Sequence, residues 1–151
     1  MKRSIPKMFL LFLTAALLLV ILSSCAGADS ILIEGAERDQ VLAYAEPIAD
    51  NLFQGMQELD YAVFARDFDP IMKKAMDEKG FREMMRTINP VIGPYQSRQV
   101  ANVEEVGKYV AVTYTVRYEL EEAVSWRVVL TPGDVNQVSG LWYDSTKLRV
   151  K

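Results

Sequence analysis

The sequence predicts an α+β domain, in which N-terminal helices pack on a curved antiparallel sheet of four strands. In the first half of the chain, apolar residues recur at spacings of three and four, which is typical of amphipathic helices. In the second half the period changes to two, which is typical of half-buried strands. Helices that precede a set of strands, rather than alternating with them, favour a sheet covered by helices on one face.

Residues 1–24 precede the predicted domain and have the composition of a secretory signal peptide. The three basic residues of this segment all precede an apolar run, residues 8–22. The run is shorter than the ~20 apolar residues that a transmembrane helix needs. A signal anchor that is retained as a transmembrane helix is the alternative interpretation.

The only cysteine of the chain, Cys25, follows directly after the apolar run in the sequence "LSSC". This motif resembles the lipobox of bacterial lipoproteins, a form that some archaea share. The resemblance implies that diacylglycerol is attached to the thiol and that a peptidase cuts before Cys25. The protein would then be anchored in the lipid of a cell membrane on its extracytoplasmic side, in the periplasm if a second membrane is present. The alternative, a reactive free thiol, needs an electropositive setting that the neighbouring residues do not supply.

The length of the chain fits one domain rather than two. We expect residues 1–24 to be the signal peptide, residues 25–38 a lipidated tether and residues 39–151 a single domain. With one cysteine in the whole chain, no disulfide can form within it, so packing must supply its stability.

Charge and composition exclude several classes of function. Without residues 1–24 the chain keeps 14 of its 17 basic and all 20 acidic residues, a formal charge of −6. An acidic chain is poorly suited to nucleic acid, so we predict no nucleic-acid partner. The chain has no histidine, which excludes Ser-His-Asp catalysis and the usual zinc sites.

The first helix is predicted from residue 39 and contains Pro47, which should bend it. Its apolar stripe consists of Val41, Ala45, Ile48, Leu52 and Met56. Three aspartates then have the position of helix N-caps: Asp60, Asp69, which precedes Pro70, and Asp77. Asn89 and Pro90 are expected to end the last of these helices.

Four strands are predicted, in residues 94–105, 109–120, 123–130 and 135–144. Alternation within the second and third predicts which side chains face the core. Val112, Trp126 and Val128 should be buried, and Thr113, Thr115 and Arg127 should be comparatively accessible.

Together, the segments "DYAVFARDFDPIMKKAM", "GPYQSRQV", "VAVTYTVRYE", "SWRVVL" and "VSGLWY" resemble extracytoplasmic domains of the nuclear transport factor 2-like, or cystatin-like, fold. The resemblance covers residues 39–144. It implies a strongly bent sheet that forms a cone with the helices, and an apolar pocket at the wide end. Members of this superfamily include ketosteroid isomerase, polyketide cyclases and many proteins that only bind or assemble.

Six aromatic residues are candidates for the lining of that pocket, and ordinary core packing is the alternative for all of them. They are Tyr61, Phe64, Tyr114, Tyr118, Trp126 and Trp142. An enzyme of the isomerase type would need a buried carboxylate and a donor facing an oxyanion. Asp60, Asp67 and Asp69 could supply the carboxylate, and Tyr114 and Tyr118 the donor, but no motif fixes any pair together. Helix capping explains the aspartates as well. We therefore predict no catalytic residue, no metal site and no cofactor.

The function expected from the sequence is that of a non-catalytic module at the cell envelope, which binds a small molecule or assists another protein. One alternative is a cofactor-free isomerase-like or cyclase-like enzyme that uses the cone. The other is a dimeric scaffold for another envelope protein, with a homodimer formed through the exposed sheet face. A hollow cone with convergent polar groups would favour the enzyme, whereas a filled cone and an apolar outer face would favour assembly.

Overall fold

The structure, a computed structural model, describes residues 30–133 and 135–149. Cys25 and the predicted signal peptide lie outside the described residues. The five strands are β1 (Ser30–Leu32), β2 (Tyr95–Val106), β3 (Tyr109–Tyr118), β4 (Val124–Thr131) and β5 (Gln137–Asp144). The five helices are α1 (Gly35–Glu58), α2 (Tyr61–Phe64), α3 (Pro70–Ala75), α4 (Glu78–Ile92) and α5 (Thr146–Arg149).

Helix α1 has the predicted apolar stripe, and all five of its members are buried. The helix continues through Pro47, as predicted, but it begins at Gly35 rather than at residue 39. Ile33 is also buried in the core. Residues 30–38 are therefore part of the fold, and the prediction of a tether that extends to residue 38 is wrong for this part.

The three predicted helix N-caps are confirmed. The side chains of Asp60, Asp69 and Asp77 each accept hydrogen bonds from backbone N–H groups in the first turn of α2, α3 and α4. The predicted end of α4 at Asn89 and Pro90 is wrong, because the helix continues to Ile92. Pro90 lies in the last turn, where it removes one backbone hydrogen bond, and Ile92 is fully buried.

The sheet is antiparallel, with its strands in the order β1-β2-β3-β4-β5. It has five strands rather than the predicted four, because Ser30 of β1 pairs with Val106 of β2 and adds an edge strand. The α+β class is thus confirmed, with helices and an antiparallel sheet.

The predicted alternation of β3 and β4 is confirmed. Val112, Trp126 and Val128 are at most 2% exposed. On the other face Thr115 is exposed, and Thr113 and Arg127 are partly exposed. We call this second face, which carries Thr113, Arg127 and Trp142, the open face of the sheet.

Beyond Val138, a bulge reverses the alternation of β5. Leu130 pairs with Val138 but Val129 pairs with Gly140, so Ser139 is one extra residue on this strand. An extra residue moves every following side chain to the opposite face. Trp142 therefore lies on the open face, although strict alternation from the buried Val138 would place it inside.

Candidate functional site

The space between the helices and the sheet is filled by two groups of aromatic rings. In the first, Phe53 stacks on Tyr95 with ring centroids 4.9 Å apart and meets Trp126 edge-on at 5.8 Å. In the second, Phe64 packs on Phe81 at 4.5 Å. Such rings supply core stability through burial and edge-to-face contacts.

Of the six aromatic residues predicted to line one pocket, five lie in or against a single hydrophobic core, and Trp142 lies outside it. Phe64, Tyr114, Tyr118 and Trp126 are at most 1% exposed and belong to the core. Tyr61 is partly buried, and its hydroxyl donates to the carbonyl of Met76 at 2.9 Å. Trp142, in contrast, is 58% exposed on the open face.

A cavity of about 40 Å³ remains beside the first aromatic group. Its lining consists of Met56, Gln57, Met85, Asn89, Pro94, Tyr95 and Tyr118. This volume is close to the ~30 Å³ of one water molecule, so it is too small for an organic ligand. Burial raises the pKa of the Tyr118 hydroxyl, although the nearby indole N–H of Trp126 opposes this. No carboxylate belongs to the lining, so this cavity lacks the base that an isomerase needs.

A buried arginine, Arg98, connects β2 to α1. Its side chain is only 12% exposed, and Nη2 donates to Oε2 of Glu46 at 2.9 Å and to Oδ1 of Asp50 at 2.7 Å. The guanidinium carbon lies 5.5 Å from the ring centroids of both Phe53 and Tyr114, within range of a cation–π contact. The arrangement pairs a largely buried charge and attaches α1 to the sheet, while Nε of Arg98 and Oε1 of Glu46 are buried without a hydrogen-bond partner among the described residues.

The pKa shifts of Arg98 and Tyr114 make neither residue an acid or a base at neutral pH. Burial opposes the charge on Arg98, but hydrogen bonds to Asp50 and Tyr95 and the charge of Glu46 raise its pKa above its usual value. Burial, together with the Glu46 carboxylate, also raises the pKa of the Tyr114 hydroxyl. Both groups therefore keep their protons under ordinary conditions.

The three candidate aspartates have structural roles. Asp60 and Asp69 are helix caps, as described above. Asp67 does not cap a helix; its Oδ2 accepts a hydrogen bond from the buried Asn51 at 2.7 Å, and Oδ1 lies 3.3 Å from Nε of Arg66. The backbone N–H of Val138 donates to the carbonyl of Asp67, so this residue joins α1 to β5.

The open face carries an apolar surface beside a polar group. The indole of Trp142 lies over Gly140, where a Cβ atom would come within 2.4 Å of the ring. A shallow groove of about 480 Å³ on this face is lined by Val106, Tyr109, Arg127, Val129, Ser139 and Trp142. Next to it, Arg127 forms an ion pair with Glu104 and donates to Oγ1 of Thr113 at 3.3 Å.

Leu32 of the edge strand β1 enlarges the apolar part of the open face. It pairs with Glu104, and it is 56% exposed. Leu32 and Trp142 are thus exposed on the two edge strands of one face, and the partly exposed Val129 lies between them.

The described residues offer neither a metal-binding cluster nor a membrane-spanning helix. No group of three or more histidine, cysteine, aspartate or glutamate side chains there could hold a metal ion. Among the helices of residues 30–133 and 135–149, none is both long and apolar enough to span a membrane.

Comparison with known proteins does not add a function. No protein-family model matches the chain, and no curated protein matches it significantly.

Proposed function

We propose that this protein is a lipid-anchored, extracytoplasmic accessory module that acts by protein contact, through the open face of its sheet, rather than by catalysis. The observation that carries the proposal is the exposed Trp142, together with an interior that aromatic side chains fill. In this proposal Cys25 carries the lipid, and the domain is a compact member of the nuclear transport factor 2-like group.

The filled interior supports a role in contact with another protein rather than in enclosing a small molecule. Ligand pockets of proteins usually have volumes of ~300–1,000 Å³ and bury most of their ligand. The cavity beside Tyr118 has about 40 Å³, and the charged groups nearest to the core are already paired with each other. The larger pockets of the described residues, about 380–480 Å³ in volume, are open to solvent, and one of them lies between the start of α1 and the turn from β2 to β3.

The composition of the open face supports a protein partner. Tryptophan, tyrosine and arginine are the residues that most often carry binding energy in protein interfaces. Tyr109, Arg127 and Trp142 all line the same groove. The neighbouring Glu104 and Arg127 carry opposite charges, so two copies related by a two-fold axis would present complementary groups.

Cross-linking of the full chain in membranes tests this proposal. Thr113→Cys places a thiol on the open face, and Thr87→Cys places one on the exposed side of α4 as a matched control. With a short bis-maleimide we expect dimers from Thr113→Cys but not from Thr87→Cys. Trp142→Ala should weaken the dimer at least about tenfold, because an exposed tryptophan is a typical interface anchor.

Equal cross-linking from both cysteine variants would contradict the homodimer. A larger, specific adduct from Thr113→Cys would instead indicate that the open face contacts a different protein. The chain would then act as a scaffold for another envelope protein. A monomeric chain with no adduct at Thr113→Cys would overturn contact through this face.

A further inference from the structure

A second exposed groove lies on the helical side of the molecule, between the end of α1 and one face of α4. Its lining consists of Leu59, Phe81, Arg82, Met85, Arg86, Asn89 and Pro90, and its volume is about 390 Å³. We call it the α4 groove. Phe81 and Met85 are buried and form its floor, whereas Leu59 is 59% exposed at its edge. Residues 81–90 extend over about 13 Å of helix, at ~1.5 Å per residue.

Leu59 has a backbone conformation that is unfavourable for leucine. Its φ of 56° lies in the left-handed region, where glycine is the favoured residue at the end of a helix. Among the described residues, Leu59 is the only one other than glycine with a positive φ. Local stability alone would favour glycine here, yet the position carries a large apolar side chain that is mostly in solvent.

The opposite edge of the α4 groove shows a second local conflict. Arg82 and Arg86 are one turn apart on α4, and two like charges at this spacing repel each other. Arg82 forms an ion pair with Glu78. Arg86 forms none with any residue in the described part of the chain. Positions at which local preferences are violated are often functional sites.

The spacing of these charges identifies the kind of occupant. A lipid or fatty acid carries its charge at one end, whereas the two arginines and Asn89 are distributed along the length of the groove. A peptide presents side chains at regular intervals, and an amphipathic helix would place apolar residues on the floor and acidic residues beside the arginines. The methionine on the floor, Met85, can adapt to side chains of different shape.

The geometry points to the α4 groove as a docking site for an acidic amphipathic helix of a protein partner. Leu59 and the floor would contact its apolar residues, and Arg82 and Arg86 would pair with its carboxylates. The inference goes beyond the proposed function, because it concerns a different surface and does not depend on contact through the open face.

The test measures binding of a labelled synthetic peptide to the full chain by fluorescence anisotropy. The peptide has about 18 residues, more than the ~12–15 at which an isolated helix is marginal. It has leucines at i, i+3, i+4 and i+7 and glutamates only on the side that would face Arg82 and Arg86, because Glu58 and Asp60 flank Leu59 at the other edge. The control peptide has lysine in place of every glutamate. We expect the acidic peptide to bind at least tenfold more tightly than the control, and to bind more weakly as salt is added.

Two variants locate the binding site. Leu59→Gly should weaken binding at least fivefold while the protein keeps or gains thermal stability, since glycine relieves the left-handed conformation. Arg86→Gln should also weaken binding of the acidic peptide and reduce its salt dependence. The matched controls, Leu32→Ala and Arg117→Gln, remove an equally exposed leucine and an exposed arginine elsewhere and should leave the affinity unchanged.

Several results would overturn the inference. Equal affinity for the acidic and basic peptides would do so, and so would unchanged affinity in Leu59→Gly. If vesicles of phosphatidylglycerol bound in a Leu59-dependent way and the peptide did not, the occupant would be a lipid instead. Trp142→Ala should leave peptide binding intact, which separates this result from a failure of the proposed open-face contact.

Discussion

At the scale of single residues, Arg98 joins the sheet to α1 through partners from a distant part of the chain. It lies on the covered face of β2, where alternation alone would favour an apolar residue. Its partners, Glu46 and Asp50, lie about 50 residues earlier in the chain, and its guanidinium faces two aromatic rings. Nothing local in the sequence connects these residues. Lysine could not replace it, because a point charge lacks the planar face and the forked donors.

The ion pair between Glu104 and Arg127 predicts an acid-dependent loss of stability. The pKa of Glu104 lies below its ordinary value of 4.5, because the carboxylate accepts a hydrogen bond from Arg127 and is attracted by the charge of that residue. Burial opposes this shift. Because the pKa of Glu104 is lower in the folded state than in the unfolded state, its ionised carboxylate stabilises the fold above pH 4.5. This contribution is lost as the pH falls through the folded-state pKa. Arg127→Gln should therefore be less stable than the wild type at pH 6, with a difference that shrinks towards pH 3.

Urea unfolding at a series of pH values measures this difference. Arg117→Gln is the control, because Arg117 and its partner Glu122 are both largely exposed and their ion pair should contribute little. A difference between the wild type and Arg127→Gln that stays constant from pH 6 to pH 3 would show that the effect comes from packing rather than from charge.

At the scale of helices and strands, the sequence predicted the elements that have strong periodicity or a clear cap. The alternation in β3 and β4 was sufficient to assign their faces, because one face is buried throughout. The strand β1 was missed, since its three residues, Ser30–Leu32, are all exposed and too few to show a period. Trp142 was misplaced because the bulge at Ser139 depends on pairing with β4, which the sequence of β5 alone does not reveal.

The crossing of α1 and α2 predicts opposite effects of the same substitution at two glycines. A Cβ atom on Gly55 would lie 2.3 Å from the backbone nitrogen of Phe64, so α2 would have to move. Alanine normally stabilises a helix by about 1 kcal/mol relative to glycine, but overpacking of this kind costs about 1–3 kcal/mol. We expect Gly55→Ala to lower the free energy of unfolding by up to about 2 kcal/mol, because the clash is with backbone atoms, which makes the overpacking cost large.

Gly80 in α4 is the matched control, because its Cβ atom would make only ordinary contacts, 3.4 Å from Sδ of Met76. Gly80→Ala should raise the free energy of unfolding by about 0.5 kcal/mol through helix propensity alone. Chemical denaturation of both variants tests the pair of predictions. A stabilised Gly55→Ala would show that α2 can move without loss of packing.

At the scale of the whole molecule, the two proposed contact surfaces lie on different layers. The open face belongs to the sheet, and the α4 groove belongs to the helices at the far end of α1 from Ser30. Helix α1 has 24 residues and is therefore about 36 Å long at ~1.5 Å per residue. The α4 groove is thus separated by about this length from the end at which the chain would continue to Cys25.

The proposed anchor leads to a prediction that is independent of both surfaces. Cys25→Ser should prevent attachment of lipid and cleavage before residue 25, because a hydroxyl does not replace the thiolate as nucleophile. Metabolic labelling with a fatty-acid probe measures attachment, and the size of the product measures cleavage. Thr113→Cys, which restores a cysteine elsewhere, should not restore labelling in the double variant. Labelling of Cys25→Ser at the wild-type level would contradict a lipid at this position.

The pairing of β1 with β2 also determines the order in which the sheet can be completed. Each later strand pairs with the strand that precedes it in the chain, so β2 to β5 can form by successive short closures. Ser30, in contrast, meets Val106 only after more than 70 intervening residues have folded back, and such a closure carries a larger entropic cost. Because the strand has only three residues, few hydrogen bonds offset that entropic cost. We therefore expect β1, the first strand of the described residues, to be the last to join the sheet and the first to leave it, which would uncover the edge of β2.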